Sequence, residues 1–299
     1  MSASINKTAT GKPKWLRRSL PTGPEYEKIR QLLKSHELTT VCREAKCPNQ
    51  FECYGKGTAT FMILGERCTR NCRFCAVEHR PESLPDPEEA RRVAEAVVIL
   101  GLRYAVVTSV TRDDLADGGA SFFAETIQTI RKASPKTLVE VLIPDLQGDW
   151  QALETILQAG PDVLNHNIET VAGLYPVVRP QAAYRRSLEL LRQAKLIHPQ
   201  IPTKSGIMLG FGESHRELKE TWRDLLASGC DILTMGQYLQ PSAAHLPVQR
   251  FLPPEEFAEL EQDARALGFS GVASGPFVRS SYQAEKLYRK AMRRLREAE

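Results

Sequence analysis

The stretch TATFMILGERCTRNCRFC (58–75) joins two patterns. Its first eight residues, β-branched and apolar and closed by Gly65, have the make-up of a buried strand. The loop that follows is unusual: Cys68, Cys72 and Cys75 fall within eight positions, with Phe74 just before the last. A second trio, Cys42, Cys47 and Cys53, stands upstream in CREAKCPNQFEC (42–53), so six of the seven cysteines lie between residues 42 and 75.

Downstream of that strand the chain alternates short apolar runs with longer amphipathic ones. The helix pattern DPEEARRVAEAVVILG (86–101) is followed by the strand YAVVTSV (104–110), the helix GGASFFAETIQTIRK (118–132), the strand LVEVLIP (138–144) and the helix DWQALETILQAG (149–160). The series continues through DVLNHNIE (162–169), YRRSLELLRQAKLI (184–197), TKSGIMLGF (203–211), SHRELKETWRDLLASG (214–229), ILTMGQYL (232–239) and PPEEFAELEQDARALG (253–268). Six strand–helix units of this kind predict an α/β chain with a parallel sheet and helices outside. The pattern alone leaves a doubly wound sheet and a barrel both open. In either, ligands collect at the carboxyl ends of the strands, in the loops where GERCTRNCRFC, TRDDLADGG, HNIET, GFGES and QYLQPSAAHLP fall. The last segment, GVASGPFVRSSYQAEKLYRKAMRRLREAE (271–299), departs from the repeat. It ends in a helix whose Leu287, Ala291 and Leu295 recur every fourth residue among cations expected to be solvated.

The totals exclude several classes. An apolar fraction of 42% and a charged fraction of 25% over 299 residues suit an ordinary buried core. No run approaches 18 uncharged apolar residues, which argues against a membrane partner. A net charge of +4 is too small to imply nucleic acid. The N-terminus, MSASINKTATGKPKW, lacks the apolar centre of a secretory signal. A cytoplasmic, reducing location follows as the expectation, and there clustered thiols read as metal or redox ligands rather than disulfides.

Structural zinc sites close with four ligands, typically as two pairs, and no CxxC…CxxC pairing exists here. Iron–sulfur clusters are held by thiolates, and three thiolates leave one iron of a cubane open to another ligand. The spacing Cx3Cx2C with Phe74, directly after the first strand of a β/α chain, is that of the radical S-adenosylmethionine (SAM) enzymes. Within that superfamily the chain closely resembles the lipoyl synthase family, from KPKWLRRSLPTG (12–23) through RSSY (279–282). GTATFMILG, RDDLADGGA, HNIETV, PTKSG and GQYLQPSAAHLPVQRFLPPEEF carry the likeness between them, with a departure at Thr111, where the family commonly has aspartate.

The resemblance implies a partial (β/α)6 TIM-like barrel at 58–268, an N-terminal extension at 1–57 and a C-terminal segment at 269–299. It implies two 4Fe–4S clusters and SAM: Cys68, Cys72 and Cys75 hold the SAM-cleaving cluster, while Cys42, Cys47, Cys53 and Ser281 hold an auxiliary one. Between Ser280 and Ser281, the resemblance favours Ser281. The implied reaction inserts sulfur from the auxiliary cluster at C6 and C8 of a protein-bound octanoyl-lysine. Its partners are an octanoylated lipoyl carrier (glycine cleavage H protein or a 2-oxoacid dehydrogenase E2 lipoyl domain), a low-potential donor such as ferredoxin or flavodoxin, and an iron–sulfur carrier.

Strand-end geometry adds candidates. Asn167 and Glu169 match the amine and hydroxyl donors of SAM, with helix capping as the competing reading. Arg179 and Lys204 are candidates to neutralise a carboxylate, or else form ion pairs. Asp113 and Asp114 resemble the family's substrate-side loop, and Arg279 is placed to hold the RSSY segment. Cys230 reads as a small buried hydrophobe. His166 is either a ligand contact or a structural histidine, and the remaining histidines show no metal spacing.

Overall fold

The structure, a computed structural model, describes residues 11–17, 23–79 and 84–298. The lead-in over 1–10 and part of the KPKWLRRSLPTG run, 18–22, lie outside the described residues.

Seven parallel strands form one sheet: β1 (Thr60–Ile63), β4 (Tyr104–Ser109), β5 (Leu138–Leu142), β6 (Val163–Asn165), β7 (Thr203–Leu209), β8 (Ile232–Gln237) and β9 (Gly271–Gly275), hydrogen-bonded in that order. Two further short strands, β2 (Arg67–Cys68) and β3 (Glu78–His79), pair within the first cysteine loop. Both faces of the strands are largely buried, as parallel sheets require, because each crossover lays a helix against the outside. Those helices are α4 (Glu89–Ile99), α5 (Ala120–Ala133), α6 (Trp150–Gln158), α8 (Tyr184–Ile197), α9 (His215–Ala227) and α10 (Pro254–Leu267), with the single turn α7 (Tyr175–Val178) in the loop before α8. Local signals fix their ends: Asp149 accepts from the first turn of α6, and Ser214 and Glu217 cap α9 reciprocally.

Six repeats were expected and a seventh strand is present. GVASG, inside the segment read as departing from the repeat, pairs with β8 from Ile232↔Gly271 to Gly236↔Gly275. Its two glycines and small side chains hide the β signal, and register with β8 supplies what propensity does not. The sheet therefore runs past residue 268. Among the described residues no ladder joins β9 back to β1, so the barrel is partial.

The two chain extensions meet at that opening. On the N-terminal side, α1 (Pro24–Ser35) packs on α3 (Gln50–Gly55), with Tyr26 stacked on Phe51 at 5.3 Å. Between them runs α2 (Val41–Glu44), and Thr40 bridges Phe61 while Met62 N donates to Thr39 O at 2.9 Å, covering the edge of β1. On the C-terminal side, residues 276–283 run from the top of β9 through the barrel's interior to α11 (Ala284–Ala298), which closes the bottom. There Leu287 and Ala291 pack on Ile232, and Tyr288 tilts against Tyr104 at 5.8 Å.

Two strand glycines make room for this strap. A Cβ on Gly206 would stand 2.8 Å from Ser280 Oγ, and one on Gly236 would overlap the carbonyl oxygen of Val278. Only glycine lets another stretch of backbone lie so close to a strand.

Candidate active site

A cavity of 530 Å³ opens at the carboxyl ends of the strands. Cys42, Cys47, Cys68, Cys72 and Cys75 line it, together with Asn167, Glu169, Arg179, Ser280 and Ser281. Cys53 stands beside this lining on α3, within electrostatic reach of Cys47. Apolar side chains between the two trios, Met62, Leu142 and Met208 among them, complete the wall.

The Cx3Cx2C loop is fixed from several sides. Arg70, with its side chain only 3% exposed, donates to both oxygens of Asp113 at 2.6 and 2.9 Å and to Asp145 at 2.6 Å. Asn71 N donates to Gln181 Oε1 at 2.6 Å, and Arg73 N to Val178 O at 3.0 Å. The backbone N–H groups of Arg70 and Thr111 point at Cys68 Sγ, at 3.4 and 3.3 Å, as N–H groups around cluster sulfurs do. His245 Nε2 donates to Cys75 O at 2.9 Å while its Nδ1 accepts from Ser242, a tautomer set by the carbonyl's being an acceptor only. Phe74 turns onto Val178, Phe211, Tyr238 and Val248.

Within each trio the thiols sense one another. Burial first, and the Cys47 thiol second, push Cys42 up to about 12 and Cys53 up to about 11. Burial pushes Cys75 up to about 12, and raises Cys72 with Arg179 opposing. Burial disfavours the thiolate form of these side chains, and a bound cationic group would favour it. Among the described residues no three His, Cys, Asp or Glu side chains close around one ion position. Three thiols per trio are the donor chemistry that an iron–sulfur cluster would take. The donor set fits such a group.

Between the trios runs a polar chain. Asn167 Nδ2 donates to Glu169 Oε1 at 3.0 Å, and Asn167 Oδ1 accepts from Ser280 Oγ at 2.7 Å. Arg179 donates to Asn167 O at 3.0 Å and to Tyr175 OH at 3.2 Å, while its Nε is buried without a hydrogen-bond partner among the described residues, a donor suited to an anionic ligand. Glu169 holds a left-handed backbone, φ 66°, unusual for a side chain with a Cβ. Bonds to Gly206 O and from Met208 N, both 2.9 Å, hold it there. Burial raises its carboxyl, against the pull of Arg179 and Asn167. The competing capping role is not what Asn167 and Glu169 perform.

The C-terminal strap closes over the N-terminal trio. Asn49 Nδ2 donates to Phe277 O at 2.6 Å, and Tyr282 OH donates to Glu52 Oε1 at 3.0 Å. Ser281 thus sits on the cavity between two anchors to the segment that bears Cys47 and Cys53.

The remaining candidates have other settings, and the expectation for Lys204 needs correcting. Lys204 does not line the cavity: it is 1% exposed, at the bottom of the barrel, paired with Glu140 at 2.8 Å. Tyr104 OH and Asn165 Nδ2 also donate to Glu140, at 2.6 and 3.0 Å, so the ammonium balances a buried carboxylate and does not reach a ligand. Asp113 serves Arg70, and Asp114 pairs with Arg112 at 2.8 Å; neither lines the cavity. Arg279 donates to Val278 O at 2.6 Å, holding the strap's own turn. His166 is structural: buried, lowered to about 4 by burial and then by Arg179, and bonded to Ile143 O and Ser187 Oγ at 2.9 Å each. Cys230 is the small buried side chain read from the sequence, its thiol pushed up by burial.

Residues missed from sequence include Arg70, Asp145 and His245. Arg70 carried a signal, lying inside the motif itself; Asp145 and His245 reach the loop only through folding.

A profile of the radical SAM superfamily matches residues 62–225, and one of the N-terminal domain of lipoyl synthase matches residues 3–47. The lipoyl synthase of Desulfotalea psychrophila is 71% identical over 281 residues, 94% of each chain. Those of Chlorobaculum parvum and Thermus thermophilus are 55% and 53% identical over 94% and 95% of this chain, and 96% and 88% of theirs. Among solved structures, HydG, a maturase of the FeFe hydrogenase, superposes with a TM-score of 0.60 at 16% identity, over 77% of this chain and 54% of that one. SuiB of Streptococcus suis bound to SAM gives 0.55 at 10% identity, over 81% and 58%. At such identities the likeness is of fold alone, and this chain spans little more than half of either.

Proposed function

The chain belongs to the lipoyl synthase family of radical SAM enzymes, which insert sulfur, and from that premise we propose how the work is divided within this cavity. Cys68, Cys72 and Cys75 hold the SAM-cleaving cluster; Cys42, Cys47, Cys53 and Ser281 hold a second. When bound, the first supplies the electron that splits SAM into methionine and a 5′-deoxyadenosyl radical, and the second supplies the sulfide inserted at C6 and C8 of a protein-bound octanoyl-lysine. The single observation that carries this reading is that five of the six trio thiols and Ser281 line one cavity, with Cys53 beside Cys47 and Ser281 bracketed by the Phe277 and Tyr282 bonds to the N-terminal segment.

The chain's own side chains do the rest. Glu169 and the buried cation of Arg179 receive the charged methionine end of SAM, and Asn167 orients Glu169. Met62, Leu142 and Met208 give the octanoyl chain an apolar path and exclude water from a reactive carbon. Ser281 offers a hard oxygen to iron, a weaker partner than thiolate and the ligand most readily released.

Substrate and partners follow from the same reading: an octanoylated lipoyl carrier (H protein or E2 lipoyl domain), a ferredoxin or flavodoxin as donor, and an iron–sulfur carrier that rebuilds the spent cluster. No helix among the described residues is long and apolar enough to cross a membrane, and we place the reaction in the cytoplasm.

Anaerobic reconstitution tests the division. The wild-type chain should bind about eight irons, two cubanes' worth, and convert an octanoyl-lysyl peptide to the dithiolane. Alanine at Cys68, Cys72 or Cys75 should abolish 5′-deoxyadenosine. Alanine at Cys42, Cys47 or Cys53 should spare that cleavage at least in part and eliminate sulfur insertion. Lipoyl product from these last variants overturns the sulfur-donor assignment.

A further inference from the structure

The first serine of RSSY has a task distinct from that of the second. Ser280 Oγ donates to Asn167 Oδ1 at 2.7 Å, a contact across 113 positions of sequence between the strap and the loop after β6. The carboxamide orientation is fixed chemically: Glu169, an acceptor when ionised, takes the Nδ2 hydrogen at 3.0 Å, which leaves Oδ1 to face a donor. Held at both ends, Asn167 has one pose, and through it Glu169 and the Arg179 bond to Asn167 O share that pose.

The same bond locates the strap. Gly206 on β7 has no side chain, and a Cβ there would stand 2.7 Å from Asn167 Oδ1, 2.8 Å from Ser280 Oγ and 2.9 Å from Thr234 Oγ1. Ser280 is thus seated on bare strand backbone. Beyond it, Phe277 and Tyr282 are tied to Asn49 and Glu52 of the N-terminal trio's segment. The strap therefore has one anchor toward the SAM half of the cavity and two toward the other half, with Ser281 between them.

We propose that Ser280 is a positioning residue that registers the two halves of the site: its hydroxyl sets the Asn167 carboxamide for SAM and, by the same bond, holds Ser281 at its reach from the N-terminal trio. This rests on the two-cluster reading above. Losing this one bond releases both of its ends, the Asn167 carboxamide on the SAM side and the strap on the other.

The test uses the reconstituted full chain and two readouts besides turnover: SAM affinity by equilibrium dialysis, and the rate of iron loss to a chelator. Ser280→Ala should weaken SAM about tenfold, the size of one hydrogen bond, and should also speed iron loss severalfold. Ser280→Thr, which keeps the hydroxyl, should restore both. Ser281→Ala should speed iron loss and leave SAM affinity unchanged, while Asn167→Ala should weaken SAM as Ser280→Ala does. A Ser280→Ala chain that holds its full iron and binds SAM as the wild type does overturns the inference alone, as does one whose affinity falls with no change in iron loss. A wild-type chain that takes up only half the iron overturns the two-cluster reading and the inference with it.

Discussion

Gly206→Ala is the substitution whose outcome the geometry fixes most narrowly. Gly206 does not have a left-handed backbone, so alanine meets no conformational penalty there. In open surroundings the change would stabilise the chain by about 0.4–1 kcal/mol through the unfolded state. Here the new methyl would lie 2.7, 2.8 and 2.9 Å from three polar oxygens. Carbon–oxygen contacts settle at about 3.3 Å, so each oxygen must retreat by roughly half an ångström. Two of the three, Asn167 Oδ1 and Ser280 Oγ, are partners of one another at 2.7 Å. Moving both outward stretches that bond past a useful length. Overpacking of about 1–3 kcal/mol and a lost bond of about 0.5–1.5 kcal/mol outweigh the entropic gain, for a net loss of about 1–3 kcal/mol. Melting should fall by several degrees, at about 2–4 °C per kcal/mol. In the same variant SAM binding should weaken. Differential scanning calorimetry and equilibrium dialysis read the two effects. A variant that melts at or above the wild-type temperature with unchanged SAM affinity refutes the reasoning, since it means that the strap does not press on β7.

Other predictions concern the charges below and beside the cavity. Arg70→Met leaves the fully buried Asp145 with the partly exposed Arg186, 3.4 Å away, as its one ion-pair partner among the described residues, and should cost about 3–5 kcal/mol by chemical denaturation; a loss under 1 kcal/mol would show the loop to be held by other contacts. Burial pushes the Asp145 carboxyl up, and Arg70 first, with His166 and the Gln147 N–H, brings it down to a net value of about 2. A depressed carboxyl contributes stability above its unfolded value and loses it as pH falls through the folded one, so about 2 kcal/mol should vanish between about pH 4 and pH 2 and none between pH 8 and 5. Comparing denaturation midpoints of iron-free wild type and Asp145→Asn across that range checks the window. Lys204→Met should destabilise by about 3–5 kcal/mol, because Glu140 is left buried and unpaired, without altering SAM affinity. The double change with Glu140→Leu should recover much of the loss; a SAM defect in Lys204→Met would return this lysine to the binding site.

The sequence by itself determined the strand–helix alternation, the strand ends at which the chemistry gathers, and the two thiol trios. These are local quantities: apolar periodicity follows from burial of one face, and Cx3Cx2C is a spacing along one loop. The tertiary structure alone decided the rest. GVASG became a seventh strand because β8 offered it a parallel edge, although its own propensity is poor. Asn167 and Ser280 met because two glycines left bare backbone for the strap to lie on. Lys204, at the start of the strand TKSGIMLGF and a candidate to neutralise a carboxylate, pointed to the barrel's bottom because its place on β7 puts it two residues below Gly206 on the same face. Partnerships across more than a hundred residues have no signature in composition or period; they exist only once the sheet has set which side chains share an interior.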